Sequence, residues 1–355
     1  MDIQNHYYGH SAVFAGYCGL RRLRHVSGLI QHGWTVSSPI TAQFGDFASW
    51  GPKRRRLSWT STSRGWSPSD PGNFFEDGTP MLHAVGAPYL YLLDAARKAG
   101  AVPARGERTL VLPLHGTALL KVDGDHGEYA RLVREREGAA TVCLHIDDLD
   151  NQEIMAAWTD AGHDVISAGD RRDPQFIGRI LWMMSEARRV VSNRLSTSIM
   201  YASVSGADVE VYGPDFKLGN NAQADPGLVM RDFWPEFHDA STSQEVLREI
   251  AEAELGRGDM RSPEELKALL GWDGSTAAPF LEYWASGPLT KAQTVLGLKK
   301  IPEGAHATEA GLSPWHWIRH PFKHLPSPLP KLPAMAAVAL TFAVITAPPI
   351  PRAAR

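Results

Sequence analysis

The sequence predicts an α/β protein built on parallel sheet, and three observations carry that reading. Between residues 106 and 216, short runs of Val, Ile and Leu alternate with stretches of helical spacing. Several of those helices open on capping residues or stop on Gly, as repeated βαβ units require. The flanking segments differ in composition. This divides the chain into an N-terminal α/β region (1–105), a second, strand-helix region (106–300) and a Pro-rich, basic-aromatic and hydrophobic tail (301–355).

The elements follow in order. "VSGLI" (26–30) reads as a strand running into "QHGWT". "WGPKRRRLSWTSTSRGWSPSDPGN" (50–73) is dense in Gly, Pro and Ser and reads as a long loop, whose "KRRR" (53–56) with Trp50, Trp59 and Trp66 suits an anionic acceptor or membrane headgroups, or plain solvation. "APYLYLLDAARKAG" (87–100) has helical spacing. "RTLVLPL" (108–114), "ATVCLHI" (140–146), "HDVISA" (163–168), "RVVS" (189–192) and "ADVEVYG" (207–213) read as strands. Between them "GEYARLVRERE" (127–137), "NQEIMAAWTDAG" (151–162), "DPQFIGRILWMMSEA" (173–187) and "STSIMYASVSG" (196–206) read as helices. Gly162 is a good helix stop, and Asp173 with Pro174 a good helix start. "SQEVLREIAEAELG" (243–256) and "SPEELKALLG" (262–271) are helices, the second opened by Ser262, Pro263 and two glutamates.

Composition narrows the function. At 43% apolar and 21% charged the chain is globular, and a net charge of −3 gives no basic field for nucleic acid. Cys18 and Cys143 are the only cysteines, too few and too far apart for a disulfide scaffold or a cysteine zinc site, so a reducing, cytoplasmic compartment is expected. The first residues lack the basic and apolar stretches of a signal peptide. "AMAAVALTFAVITA" (334–347) spans roughly 21 Å as a helix, short of the roughly 30 Å hydrocarbon core, so peripheral contact at the inner membrane face is expected of the tail rather than a span.

The candidate site residues stand at strand ends. Ser192, Asn193, Ser196, Thr197 and Ser198 follow a strand of the expected parallel sheet and open a helix. Ligands of such sheets bind at the carboxyl ends of strands, and a helix N-terminus offers N–H groups and positive dipole to phosphate. The plainer reading is that one hydroxyl caps the helix. His32, before Gly33, and His10 sit on exposed turns suited to a base or phosphate donor. His115-Gly116-Thr117 repeats that design after the first strand of the second region, and Arg171 and Arg172 lie in a strand-to-helix loop able to grip phosphate. Asp148 and Asp150 form a D-x-D that holds a divalent metal in some transferases, an alternative to the metal-free reading. "GHSAV" (9–13) starts like a hydrolase elbow, but too little chain precedes Ser11 to build the sheet such a serine needs.

These residues carry a resemblance. "VVSNRLSTSIMYASVSGADVEVYG" resembles the donor-binding segment of GT-B-fold glycosyltransferases, a pattern shared by non-hydrolysing nucleotide-sugar 2-epimerases. "QHGW" resembles the His-Gly turn of teichoic acid glycerophosphotransferases and capsule enzymes. About 110 residues, "TLVLPLHGT" through "VEVYG", look like a bacterial group found with surface-polysaccharide genes, with Gly116, Ser196 and His145-Ile146 departing from its pattern. The resemblance implies a GT-B-like fold, two Rossmann-like domains facing a central cleft with a helical C-terminal extension. It implies transfer of a sugar or alditol phosphate from a nucleotide donor, needing no bound metal or other cofactor, to a polysaccharide or lipid-linked acceptor. His32 or His10 would be the base. His115, Thr117, Arg171, Ser192, Asn193, Ser196, Thr197 and Ser198 would hold the donor. The alternatives are an epimerase or hydrolase of the same fold, or a non-catalytic binding protein of envelope assembly.

Overall fold

The computed structural model describes residues 2–44, 55–75, 77–116, 122–218, 226–298, 314–320, 322, 329 and 350–351. Over these the chain is α/β with two parallel sheets. Strands β1 (Leu29–Ile30), β2 (Arg56–Ser58) and β3 (Leu82–Ala84) pair in parallel in that order. The larger sheet holds β4 (Thr109–Val111), β6 (Thr141–Leu144), β7 (Asp164–Ser167), β8 (Arg189–Ser192) and β9 (Asp208–Val211). Its parallel strands lie in the order β7-β6-β4-β8-β9, with β11 (Ile350–Pro351) antiparallel on the β7 edge. A separate antiparallel pair joins β5 (Val122–Asp123) to β10 (Lys217–Leu218). The chain therefore winds outward from β4 to β7, then returns to the other side of β4 with β8. This reversal creates a crevice at the carboxyl ends of β4 and β8.

The strands form because Val, Leu and Ile line both faces and helices cover both. Val111, Val142 and Val191 pack with Tyr129 and Trp158 on one side, from α3 (His126–Glu137) and α4 (Gln152–Asp160). On the other side Leu110 and Val190 join a core that also takes in Phe14 of α1 (His10–Tyr17) and Leu90 of α2 (Pro88–Lys98). That core continues through Leu181 of α5 (Phe176–Glu186), Tyr201 of α6 (Thr197–Val204), Met230 of α7 (Pro226–Phe233) and Leu247 of α8 (Gln244–Glu254). Both sheets thus share one apolar interior, and Tyr89 stacks on Tyr201 at 3.9 Å between ring centres.

Helix starts are set by side-chain caps. Asp125 accepts from Glu128 N, Asn151 from Glu153 N and Ile154 N, and Ser243 from Val246 N. Ser262 caps α9 (Pro263–Leu270) as expected, and with Glu265 it forms a capping box. One start differs from the sequence reading. Helix α5 begins at Phe176, because the Asp173 carboxylate instead accepts from Gln175 N and pairs with Arg179.

The largest correction concerns 50–73. The middle of this segment is β2, the central strand of the first sheet, and Arg56, Leu57 and Trp59 are fully buried. Trp66 is buried as well, and Arg55 donates to the Ala268 and Leu269 carbonyls at the end of α9. These residues are therefore not a free anionic-contact surface. Lys53, Arg54 and Trp50 lie outside the described residues, as do Thr117 and the apolar run 334–347. Among the described residues no helix is long and apolar enough to cross a membrane.

Past the last parallel strand the chain returns to the first sheet. Arg261 donates to the Ala84 carbonyl, and Arg24 to that of Trp272. The Glu254 carboxylate, 4% exposed, takes the indole N–H of Trp34 at 2.9 Å and of Trp234 at 3.0 Å. It also takes Ser63 Oγ and the Arg64 amide. Removing an acceptor that satisfies four buried or half-buried donors leaves them unpaired. Glu254→Ala should cost about 3–5 kcal/mol in urea unfolding. A loss below about 1 kcal/mol would mean that the donors find water instead.

Candidate functional site

The carboxyl ends of both sheets open on one cavity of about 270 Å³. From the first sheet come His32 and Gly33, just past β1, with His10 at the start of α1. From the larger sheet come Leu112 and His115 after β4, His145 after β6, Gly169 after β7, and Thr197 and Ser198 after β8. Phe176, Ile177 and Tyr201 supply an apolar wall.

The two motifs that the sequence singled out touch one another. Thr197 Oγ1 accepts the Trp34 backbone N–H at 2.9 Å, and a Cβ on Gly33 would lie 3.0 Å from the same oxygen. Glycine at this turn lets the His-Gly backbone lie against the start of α6. Ser196 occupies the N-cap with extended backbone (φ −155°, ψ 172°), yet its hydroxyl makes no capping bond. The Ser196 hydroxyl thus is not the simple cap that local sequence favours, and Thr197 and Ser198, at the start of α6, line the cavity.

Burial controls the imidazoles. His10 is 2% exposed, and its Nδ1 has no hydrogen-bond partner. Burial, and after it the neighbouring His32, pulls its pKa down to about 3 against the opposing effect of a hydrogen bond that its ring donates to the Gln31 backbone. His32 is pulled down to about 4 by burial and by Arg171. Its backbone N–H donates to Gln43 Oε1 at 2.8 Å, and its ring lies 5.8 Å from that of Tyr7. Tyr7 in turn carries the Arg171 guanidinium over its face at 4.9 Å. Tyr201, also buried in the cavity wall, has a hydroxyl without a partner. Buried polar atoms left unpaired at a cavity are positions for ligand contacts.

His115 is exposed and stacks on His145, with ring centres 4.8 Å apart and planes 10° apart. Burial and then His115 lower His145 to about 4. Sequence reading missed His145, Tyr8 and Tyr201. His145 ended a strand as visibly as His115 did, whereas the tyrosines carried no local signal. Tyr8 adopts a left-handed backbone (φ 58°), held by its N–H on the Arg171 carbonyl at 2.5 Å. Gly9, beside it, is also left-handed and packs against the Pro174 carbonyl where no Cβ fits. This pins the start of α1, and with it His10, to the loop bearing Arg171.

Other candidates do not reach the cavity. Ser192 is buried and accepts from Arg194 N. Asn193 bridges two loops, accepting from Leu114 N at 2.8 Å and donating to the Pro214 carbonyl at 3.1 Å, so it positions the turn carrying His115. Asp148 is half-buried, and burial raises its pKa against the pull of His115. Neither it nor Asp150 lines the cavity, and among the described residues no three His, Cys, Asp or Glu side chains are grouped to hold a metal ion. Ser11 is buried and bonded to His6 Nδ1 at 2.6 Å, outside the cavity. No family model matches the chain, and no curated protein matches it.

The buried histidines make stability pH-dependent. His6 and His10 titrate at about 4 and about 3 in the fold, against 6.5 in the open chain. Below 6.5 the unfolded chain binds protons that the folded one refuses, so stability falls as the pH drops toward those lower values. Each contributes up to about 1.4 kcal/mol per pH unit in that window. Urea midpoints should fall between pH 7 and pH 5, and His10→Gln should flatten the fall. An unchanged slope in that variant would show that His10 is not the titrating group.

Proposed function

We propose that the protein is a GT-B-like transferase that moves an activated sugar, or an alditol phosphate, from a nucleotide donor to a surface-polysaccharide or related acceptor. One observation carries the reading: His10 and His32 line the same cavity as Thr197 and Ser198, at the switch point of the larger sheet. The first sheet has only three strands among the described residues, so the likeness to a pair of complete Rossmann-like domains is a matter of arrangement rather than of size.

The chemistry follows from the residues. The donor diphosphate sits at the N-terminus of α6, where helix N–H groups and the hydroxyls of Thr197 and Ser198 meet it, with Arg171 and His115 as further phosphate contacts. The acceptor hydroxyl gives its proton to a neutral imidazole, His32 or His10, as its oxygen bonds to the anomeric carbon. The bond from that carbon to the diphosphate oxygen breaks, and the charge that develops on the leaving group falls at the helix end. Alditol phosphate transfer differs only in that the attacked atom is phosphorus. Imidazoles with depressed pKa are uncharged when the site is empty, and an arriving anion raises their proton affinity.

A thermal-shift screen against UDP, GDP, CDP and CMP conjugates tests the reading. A donor at a hundred times its dissociation constant should add roughly 2.7 kcal/mol of stability, and a flat screen would favour a non-catalytic binding protein. Ser198→Ala should weaken donor binding without lowering stability, whereas Thr197→Val should lower both, because Thr197 also holds Trp34. Calorimetric affinities equal to those of the wild type in both variants would remove the phosphate site. With the donor in hand, the acid limb of kcat/KM should fall near pH 4 rather than 6.5, since His32 must be neutral to accept a proton and titrates at about 4. His32→Ala turning over normally would exclude it as the base.

A further inference from the structure

Residues 278–298 build a surface that the transferase reading does not use. Helix α10 (Ala278–Leu281) runs through the wide turn Glu282–Ser286 into α11 (Gly287–Val295). Along this run Phe280 is 58% exposed, Leu289 60%, Leu296 70% and Leu298 75%, with Leu281 and Trp284 close behind. An isolated exposed leucine needs no explanation, but six large apolar side chains within nineteen residues do. Trp284 is held in place, since its indole N–H donates to His25 Nε2 at 3.0 Å and its ring packs on Tyr283. The acid of this run is turned inward: Glu282 accepts from Ser27 Oγ at 2.8 Å and from Gly28 N at 3.2 Å.

Charge separates this end of the chain from the rest. Residues 287–323 carry five lysines and arginines against two glutamates, in a chain of net charge −3. Exposed Trp315, Ile318 and Phe322 lie in the same stretch. A stretch of sequence that combines apolar and aromatic residues with an excess of cations matches an anionic lipid surface. There the rings and leucines enter the headgroup boundary, and the cations meet lipid phosphates.

We propose that Phe280, Leu281, Trp284, Leu289, Leu296 and Leu298 dock the protein on an anionic bilayer. The inference is independent of the transferase reading and of the 334–347 run. Glu282 anchors this surface to the residues just before β1, whereas the cavity lies past the other end of that strand.

Flotation of the full chain with phosphatidylcholine vesicles, with and without an equal part of phosphatidylglycerol, tests it. The wild type should float only with the anionic vesicles, and less as salt rises. Replacing Leu289, Leu296 and Leu298 by Ser should lower the bound fraction at least about tenfold with an unchanged melting temperature, since all three side chains are exposed. If the triple variant melts lower, Leu298→Ser alone should show the same direction of change. The proposal is overturned if the wild type ignores anionic vesicles. It is equally overturned if the variants bind like the wild type, which would place the contact in the tail, or if the leucines prove to hold a dimer that does not bind lipid.

Discussion

The buried carboxylate of Glu254 is the constraint on which the rest of the site depends. It closes on the indole of Trp34, and the backbone of Trp34 closes on Thr197, so one side chain in α8 fixes a turn of the first sheet against a helix of the second. A charged group in that position is retained only because all of its neighbours donate to it. Two indoles, a hydroxyl and a backbone amide replace the water it lost. The His32-Gly33 turn therefore has little freedom relative to the start of α6.

That rigidity gives the imidazoles their character. His10, His32 and His145 are held uncharged by burial, and each is further pressed down by a cation or another imidazole close by. The empty cavity is thus lined by polar groups that avoid charge, beside a guanidinium and a helix N-terminus that attract it. Such a site favours an anion that brings its own charge over a cation. The left-handed backbone of Tyr8 and Gly9 serves the same end, because it ties the helix start bearing His10 to the loop bearing Arg171.

Much of the larger sheet was legible in the chain. Its strands are Val- and Ile-rich runs bounded by turns, and its helices repeat their apolar residues every three or four positions, so local periodicity was sufficient. The first sheet was not legible. Its strands are two or three residues long, and β2 sits inside a Gly-, Ser- and Pro-rich stretch whose composition says loop. Parallel pairing with β1 on one side and β3 on the other, under the returning helices, makes Arg56–Ser58 a strand, and no short window of sequence contains those partners. The start of α5 shows the same limit on a smaller scale. Asp173 has the composition of a cap, but Arg179 six residues on competes for its carboxylate.

The sequence by itself determined that a parallel sheet forms, that its strands end on histidine, serine and threonine, and that the chain carries an apolar, basic C-terminal part. These follow from patterns repeating within a few residues. Only the tertiary structure decided what each polar side chain does. It committed Asn193 to two backbone partners and gave Thr197 to Trp34, 163 residues away. It stacked His145 on His115 and buried His10, which pulls the pKa of its imidazole down to about 3. A hydroxyl or an imidazole has the same chemistry anywhere in the chain. Its role comes from which distant segments remove it from water, and that is settled only when the two sheets close on their common core.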